Sequence, residues 1–178
     1  MIYYLQFNAA NLPGLIQVNN SAHQPTYFLQ RLPPRWQKNY ELLGMSQDRI
    51  GTIQQTSRSI WPNYQVQIGD RDMTKVLHLS NSQHQLMVAP GMHWLIQGHL
   101  IENNYIIYNY SHQMMMTVDN IYYKNGHEGF LLNIHRPTDH KVALLIAAVL
   151  NQTSRNTKNN RSLKRLLIHH GNLTWNQD

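Results

Sequence analysis

Eleven histidines are spread through the 178 residues, and imidazoles at strand spacing are the first groups to test as metal ligands. His93 and His99 are expected on one face of a continuous strand, and His169 and His170 are adjacent. A metal site needs three or four ligands converging at about 2 Å, usually with a carboxylate or thiolate among them. The chain has no cysteine and no HExxH pattern, so the histidines read as strand and surface residues and no metal or cofactor is expected. The missing thiols also exclude disulfides, zinc ribbons and iron–sulfur ligation.

Carboxylates are the next candidates. Nine acids are present, and Asp70 and Asp72, the closest spaced, flank Arg71 in an expected hairpin loop. At such a place carboxylates serve turns sooner than acid–base work. No GxSxG, phosphate-cradling glycine loop or dinucleotide fingerprint occurs, and the chain is read as a non-enzyme, an enzyme with an unrecognised site being the alternative. Met114, Met115 and Met116 are expected to alternate between the two faces of a strand and fill gaps in a core. Trp36, beside Pro33-Pro34, fits a loop anchor or a packed aromatic equally well.

Positive charge is the remaining chemistry, and it is unevenly placed. From residue 153 onward the bases are Arg155, Lys158, Arg161, Lys164 and Arg165 against the single acid Asp178, a net +4 of the chain's +6. Residues 1–152 are nearly neutral and owe their polarity to amides, the whole chain holding 19 Asn and 16 Gln. Leu163, Leu166, Leu167 and His170 recur at helical spacing, while Arg161, Lys164 and Arg165 fall largely off that line, the pattern of a short basic amphipathic helix. Near an anionic leaflet each base contributes about 1 kcal/mol, so five supply roughly 5 kcal/mol, sensitive to salt. Docking of that helix on its own domain or on a protein partner is the competing reading. Nucleic-acid binding through the tail is a third, disfavoured by the absence of a basic stripe or an RNP-like aromatic pattern in the strands.

These side chains must be positioned by a frame with little helix in it. Composition, 42% hydrophobic and 13% charged, fits one globular domain over 1–152 followed by the basic extension 153–178. Most of the chain alternates with period two between turn residues, as in Tyr64, Val66 and Ile68 against Gln65 and Gln67, or Phe130, Leu132 and Ile134 against Leu131 and Asn133. Twelve antiparallel strands follow, over 2–7, 14–20, 25–31, 39–45, 49–55, 63–69, 73–79, 84–89, 92–99, 104–110, 113–120 and 127–135. The Asn and Gly of residues 102–104 and 124–126 mark hairpins.

Within 1–152 only residues 139–152 read as helix, capped by Thr138-Asp139 and rich in Ala and Leu. Val142, Leu144, Leu145, Ile146, Val149 and Leu150 occupy every side of it, so burial has to surround it. A sheet covers one side. A closed antiparallel barrel wider than the eight-stranded type covers all of them, and a mainly β fold of about twelve strands around one central helix is expected. Burying the six side chains is worth roughly 9–18 kcal/mol at most, comparable to the net stability of a domain. The apolar run, nine residues, would cover roughly 14 Å as a helix against the roughly 30 Å of a bilayer core. Residues 1–15 carry no charged side chain and lack the layout of a secretory signal, so a cytoplasmic location is expected, peripheral at a membrane if lipid is the ligand.

This layout resembles the LURP-one-related family, in the wider group of tubby C-terminal domains and phospholipid scramblases. The resemblance is carried by Tyr3-Tyr4-Leu5-Gln6-Phe7, Asp48-Arg49-Ile50-Gly51-Thr52-Ile53, Trp61-Pro62-Asn63-Tyr64-Gln65-Val66, Trp94-Leu95-Ile96-Gln97-Gly98 and the apolar helix at 142–150. It implies a twelve-stranded barrel around a C-terminal helix, and a binding or scaffold role that engages anionic phospholipid or a protein partner. Asn151 stands where relatives often have an acid, and 153–178 has no counterpart in the pattern. The likeness therefore carries a fold and a class of activity, and no individual binding residue.

Overall fold

The computed structural model describes residues 1–34, 37–59, 62–81, 84–99, 104–123 and 126–150. The strands are β1 (Ile2–Phe7), β2 (Leu15–Asn20), β3 (Pro25–Arg31), β4 (Tyr40–Leu43), β5 (Arg49–Gln55), β6 (Tyr64–Ile68), β7 (Arg71–Asn81), β8 (His84–Ala89), β9 (Trp94–His99), β10 (Asn104–Asn109), β11 (Met114–Tyr122) and β12 (Glu128–Ile134). Each pairs antiparallel with its sequence neighbour, and β1 also pairs with β12, closing a twelve-stranded barrel without an edge. All twelve expected strands are present, displaced by a residue or two at their ends.

The hairpins use Asn chemistry where the chain supplies it. Asn20 Oδ1 accepts the backbone N–H of Ala22 and Gln24, and Asn109 Oδ1 accepts those of Ser111 and Gln113. His23 and His112 occupy the same left-handed position in these two turns, at φ 58° and 60°. Gly126 takes φ 81° in the β11–β12 hairpin, the positive value expected of it.

Helix α1 runs through the lumen over residues 140–150. Residues 142–150 are each at most 3% exposed, so burial encloses the helix on every side. Around it stand the inward residues of the barrel, among them Leu5, Val18, Leu29, Leu42, Ile53, Val66, Ile96, Ile107, Val118 and Leu132, all fully buried. Gly51 creates room for the helix, since a Cβ there would collide with the Gln67 carbonyl and lie 3.3 Å from Leu145 Cδ1. Gly98 serves its cross-strand partner Tyr105, whose ring lies over the glycine.

The helix start differs from expectation. Thr138 and Asp139 do not cap it but lie within a 3-10 turn, Pro137–Asp139, with Pro137 in its first turn and Arg136 at the N-cap making no side-chain cap bond. His140 anchors the junction: Nδ1 donates to the Pro137 carbonyl at 2.6 Å, so in the neutral ring Nε2 accepts from the Tyr27 hydroxyl at 3.2 Å. Tyr3 stacks on the same imidazole. At the other end the Tyr105 hydroxyl shares its proton between Gln85 Oε1 at 3.3 Å and the Leu150 carbonyl at 3.4 Å, meeting one of the acceptors a helix end leaves open. The helix therefore points from one rim, called the N-rim, to the opposite C-rim.

No helix among the described residues is long and apolar enough to cross a membrane.

Candidate functional site

The helix occupies the lumen that lipocalin-type barrels keep open for ligand, which leaves the rims and the outer wall as contact surfaces. The two rims differ in charge. At the N-rim the acids Asp48, Asp70, Asp72 and Asp139 lie close in sequence to the bases Arg49, Arg71, Arg136 and Lys141, and the Arg136 guanidinium reaches the Asp139 carboxylate at 4.0 Å. At the C-rim, where β3 ends and β4 begins, Arg31 and Lys38 lie near each other, and His78, near the end of β7, is within electrostatic reach of Lys38.

A mesh of amides holds this corner. Arg31 Nη2 donates to the Gln37 carbonyl at 3.5 Å, placing the guanidinium next to the Lys38 backbone. The Lys38 amide donates to Gln55 Oε1 at 3.1 Å, Gln55 N–H to Asn39 Oδ1 at 2.8 Å, and Gln55 Nε2 to the Ser57 carbonyl at 2.7 Å. His78 Nδ1 donates to the Pro62 carbonyl at 2.9 Å, which fixes the tautomer and leaves Nε2 as the acceptor of the neutral ring. Burial, reinforced by the Arg31 guanidinium, lowers the Lys38 pKa to about 8. Burial also lowers that of His78, the Pro62 carbonyl opposing the shift and Lys38 adding to it. Among the described residues no carboxylate stands within ion-pair distance of Lys38. A half-buried ammonium set against a guanidinium costs stability, and an anion arriving between them would relieve that cost.

The outer wall is also divided. One registered row of outward residues, Gln30, Glu41, Thr52, Gln67 and Asp72, crosses β3 to β7, with Gln67 Nε2 donating to Asp72 Oδ1 at 2.7 Å. A second row, Leu77, Val88, Leu95, Tyr108 and Met114, crosses β7 to β11 and is wholly apolar. Leu79, exposed in a bulge of β7, and Ile106 extend that patch toward the C-rim.

The chemistry-bearing residues fall as follows. Val142, Leu144, Leu145, Ile146, Val149 and Leu150 are central, as expected. Arg155, Lys158, Arg161, Lys164 and Arg165 lie outside the described residues, as do His169, His170, Arg35 and Trp36. His93 and His99 do not share a strand face. A 3-10 turn, Pro90–Met92, delays the start of β9, and His93 ends that turn in a left-handed conformation at the N-rim, whereas His99 closes β9 at the C-rim. Among the described residues no three potential metal ligands converge. Asp70 belongs to the β6–β7 turn, while Arg71 and Asp72 already pair within β7. The methionines do not alternate: a bulge opposite Ile107 and Tyr108 turns both Met115 and Met116 into the core and leaves Met114 outside. Arg136 sits at the N-rim, away from Arg31 and Lys38. His78 had no local signal, because it reaches the corner only through the closure of β6 on β7.

No protein-family model matches the chain, and no curated protein matches its sequence. Among solved structures it is similar to an X-ray structure of a protein from Arabidopsis thaliana, with a TM-score of 0.59 and 11% identity over 85% of this chain and 90% of that one. The likeness supports the fold.

Proposed function

We propose that the chain is a non-catalytic binding module of the LURP-one-related, tubby-like type, which engages anionic phospholipid at the C-rim. The observation that carries the reading is Lys38, half-buried near Arg31 and His78 with its pKa held down to about 8. Helix α1 ends at the same rim, beside Tyr105 of β10, and the bases Arg155, Lys158, Arg161, Lys164 and Arg165 that follow it in the sequence are the further contacts of this reading. A phosphate group there would accept from Lys38 and Arg31 and stabilise the charge on Lys38 that burial disfavours.

Flotation of the full chain with phosphatidylcholine vesicles, with and without phosphatidylserine, tests this. Recovery is expected only with the anionic vesicles, declining with salt, and declining again as pH rises through about 8 and Lys38 loses its charge. Lys38→Gln combined with Arg31→Gln should reduce it severalfold. Equal, negligible recovery with both vesicle types contradicts the lipid reading.

A further inference from the structure

Two exposed leucines bracket the cationic corner of the C-rim. The Arg31 backbone N–H donates to the Gly14 carbonyl at 3.1 Å, which ties Arg31 to the β1–β2 connection, and that connection carries Leu12, 56% exposed. At the other end of the corner His78 is followed by Leu79, which the register of β7 on β8 skips and which is 58% exposed. Between them, Pro33 and Pro34 of the β3–β4 connection and Arg58 of the β5–β6 connection are exposed. Residues 8–14, 32–39 and 56–63, the connections on this side of the rim, contain no Asp or Glu. Leucines on separate connections do not make the contiguous apolar centre that a protein interface needs. A fluid acyl layer accepts each one separately, while cations beside them meet anionic headgroups above it.

We infer that the C-rim docks on a bilayer with Leu12 and Leu79 inserted among the acyl chains and with Arg31, Lys38 and Arg58 at the level of the phosphates. This rests on the lipid reading above and adds the bilayer itself, since a headgroup detached from its acyl chains would meet the corner and leave both leucines in water. Met45 supplies the contrast. It is as exposed, at 55%, but lies on the opposite rim in the turn closed by Asp48, and stays in water in this orientation.

The chain has no cysteine, so Leu12→Cys, Leu79→Cys and Met45→Cys each place one nitrobenzoxadiazole label on the full chain. With vesicles of phosphatidylcholine and phosphatidylserine, the labels at positions 12 and 79 should shift to the blue and be quenched by lipids carrying a nitroxide on the acyl chain. The label at position 45 should do neither. Without labels, Leu12→Asn combined with Leu79→Asn should lower partition onto those vesicles about tenfold or more, by the same factor at low and high salt. The loss from Lys38→Gln with Arg31→Gln should instead shrink as salt rises. Flotation with water-like emission from positions 12 and 79, quenching at position 45 equal to theirs, or full recovery of the asparagine pair overturns the inference and leaves the lipid reading in place. Negligible recovery with neutral and anionic vesicles alike overturns both. A blue shift in vesicle-free solution that grows with chain concentration makes a second copy the occupant, and overturns the inference as well.

Discussion

Two five-residue rows cross the outside of this barrel in equivalent registers, and they share almost no chemistry. Gln30, Glu41, Gln67 and Asp72, with the buried Thr52 among them, form a polar face. Leu77, Val88, Leu95, Tyr108 and Met114 form an apolar one. Behind both rows the inward residues are alike, because both halves face the same helix. The interior thus specifies the fold and treats its walls equally, whereas the exterior is free to differ, and it is there that the molecule distinguishes one face from another.

The largest expected effect comes from removing what the two halves share. A chain ending at His140 should be insoluble or lack a cooperative melt by calorimetry, and a soluble 1–140 chain with a sharp transition would show that each half stands without the helix. On a smaller scale, Leu145→Ala should cost about 2–5 kcal/mol in denaturant unfolding, since the side chain is fully buried and its neighbours cannot collapse into the gap.

Glycines compare the walls more finely. Gly51→Ala in the amide-rich half meets the Gln67 carbonyl, and Gly98→Ala in the apolar half meets the Tyr105 ring. Each should cost about 1–3 kcal/mol. Only Gly98→Ala should also disturb the fluorescence of Tyr105 and its hydrogen bond to Leu150, and identical spectra for the two variants would mean that the tyrosine is not held by that glycine.

Lys38 sharpens the contrast between structure and function. The unfolded chain keeps its proton up to the ordinary pKa of 10.5, while the folded chain releases it near 8, so this residue makes stability rise as pH climbs between those values. Lys38→Met should therefore raise Tm by a few degrees at pH 7, with the gain shrinking from pH 8 upward and gone above about pH 10.5. A fall in Tm at pH 7 would make Lys38 a structural residue. The smallest effects belong to the outer rows: Gln67→Leu should change unfolding free energy by no more than about 0.5 kcal/mol, whereas Leu95→Gln, at a half-buried leucine, should cost about 1 kcal/mol. Equal values would erase the difference between the faces.

The same contrast explains what was legible in the sequence. In β6 the inward Tyr64 and Val66 alternate with Gln65 and Gln67, so both the strand and its buried face are visible in the residue order. In β8 and β10 the runs Leu86-Met87-Val88-Ala89 and Tyr105-Ile106-Ile107-Tyr108 are apolar on both faces, so the strand is visible but its outside is not. The helix was legible because no single wall can bury a segment apolar all round. The bulge at Met115 and the 3-10 turn before β9 depend on register between strands, which a local pattern does not carry. The corner at Lys38 was legible only as separate charges, since the successive pairing of β4 through β7 is what brings His78 toward it.

Everything on the outer surface follows from the lumen being occupied by α1. Native-state hydrogen exchange at the amides of Ala143 through Ala147 measures that directly. They should exchange only through global unfolding, with protection equal to that of the slowest strand amides of β1 and β12. Exchange of those amides at a free energy well below that of global unfolding would mean that the helix leaves the barrel on its own, and would contradict the account.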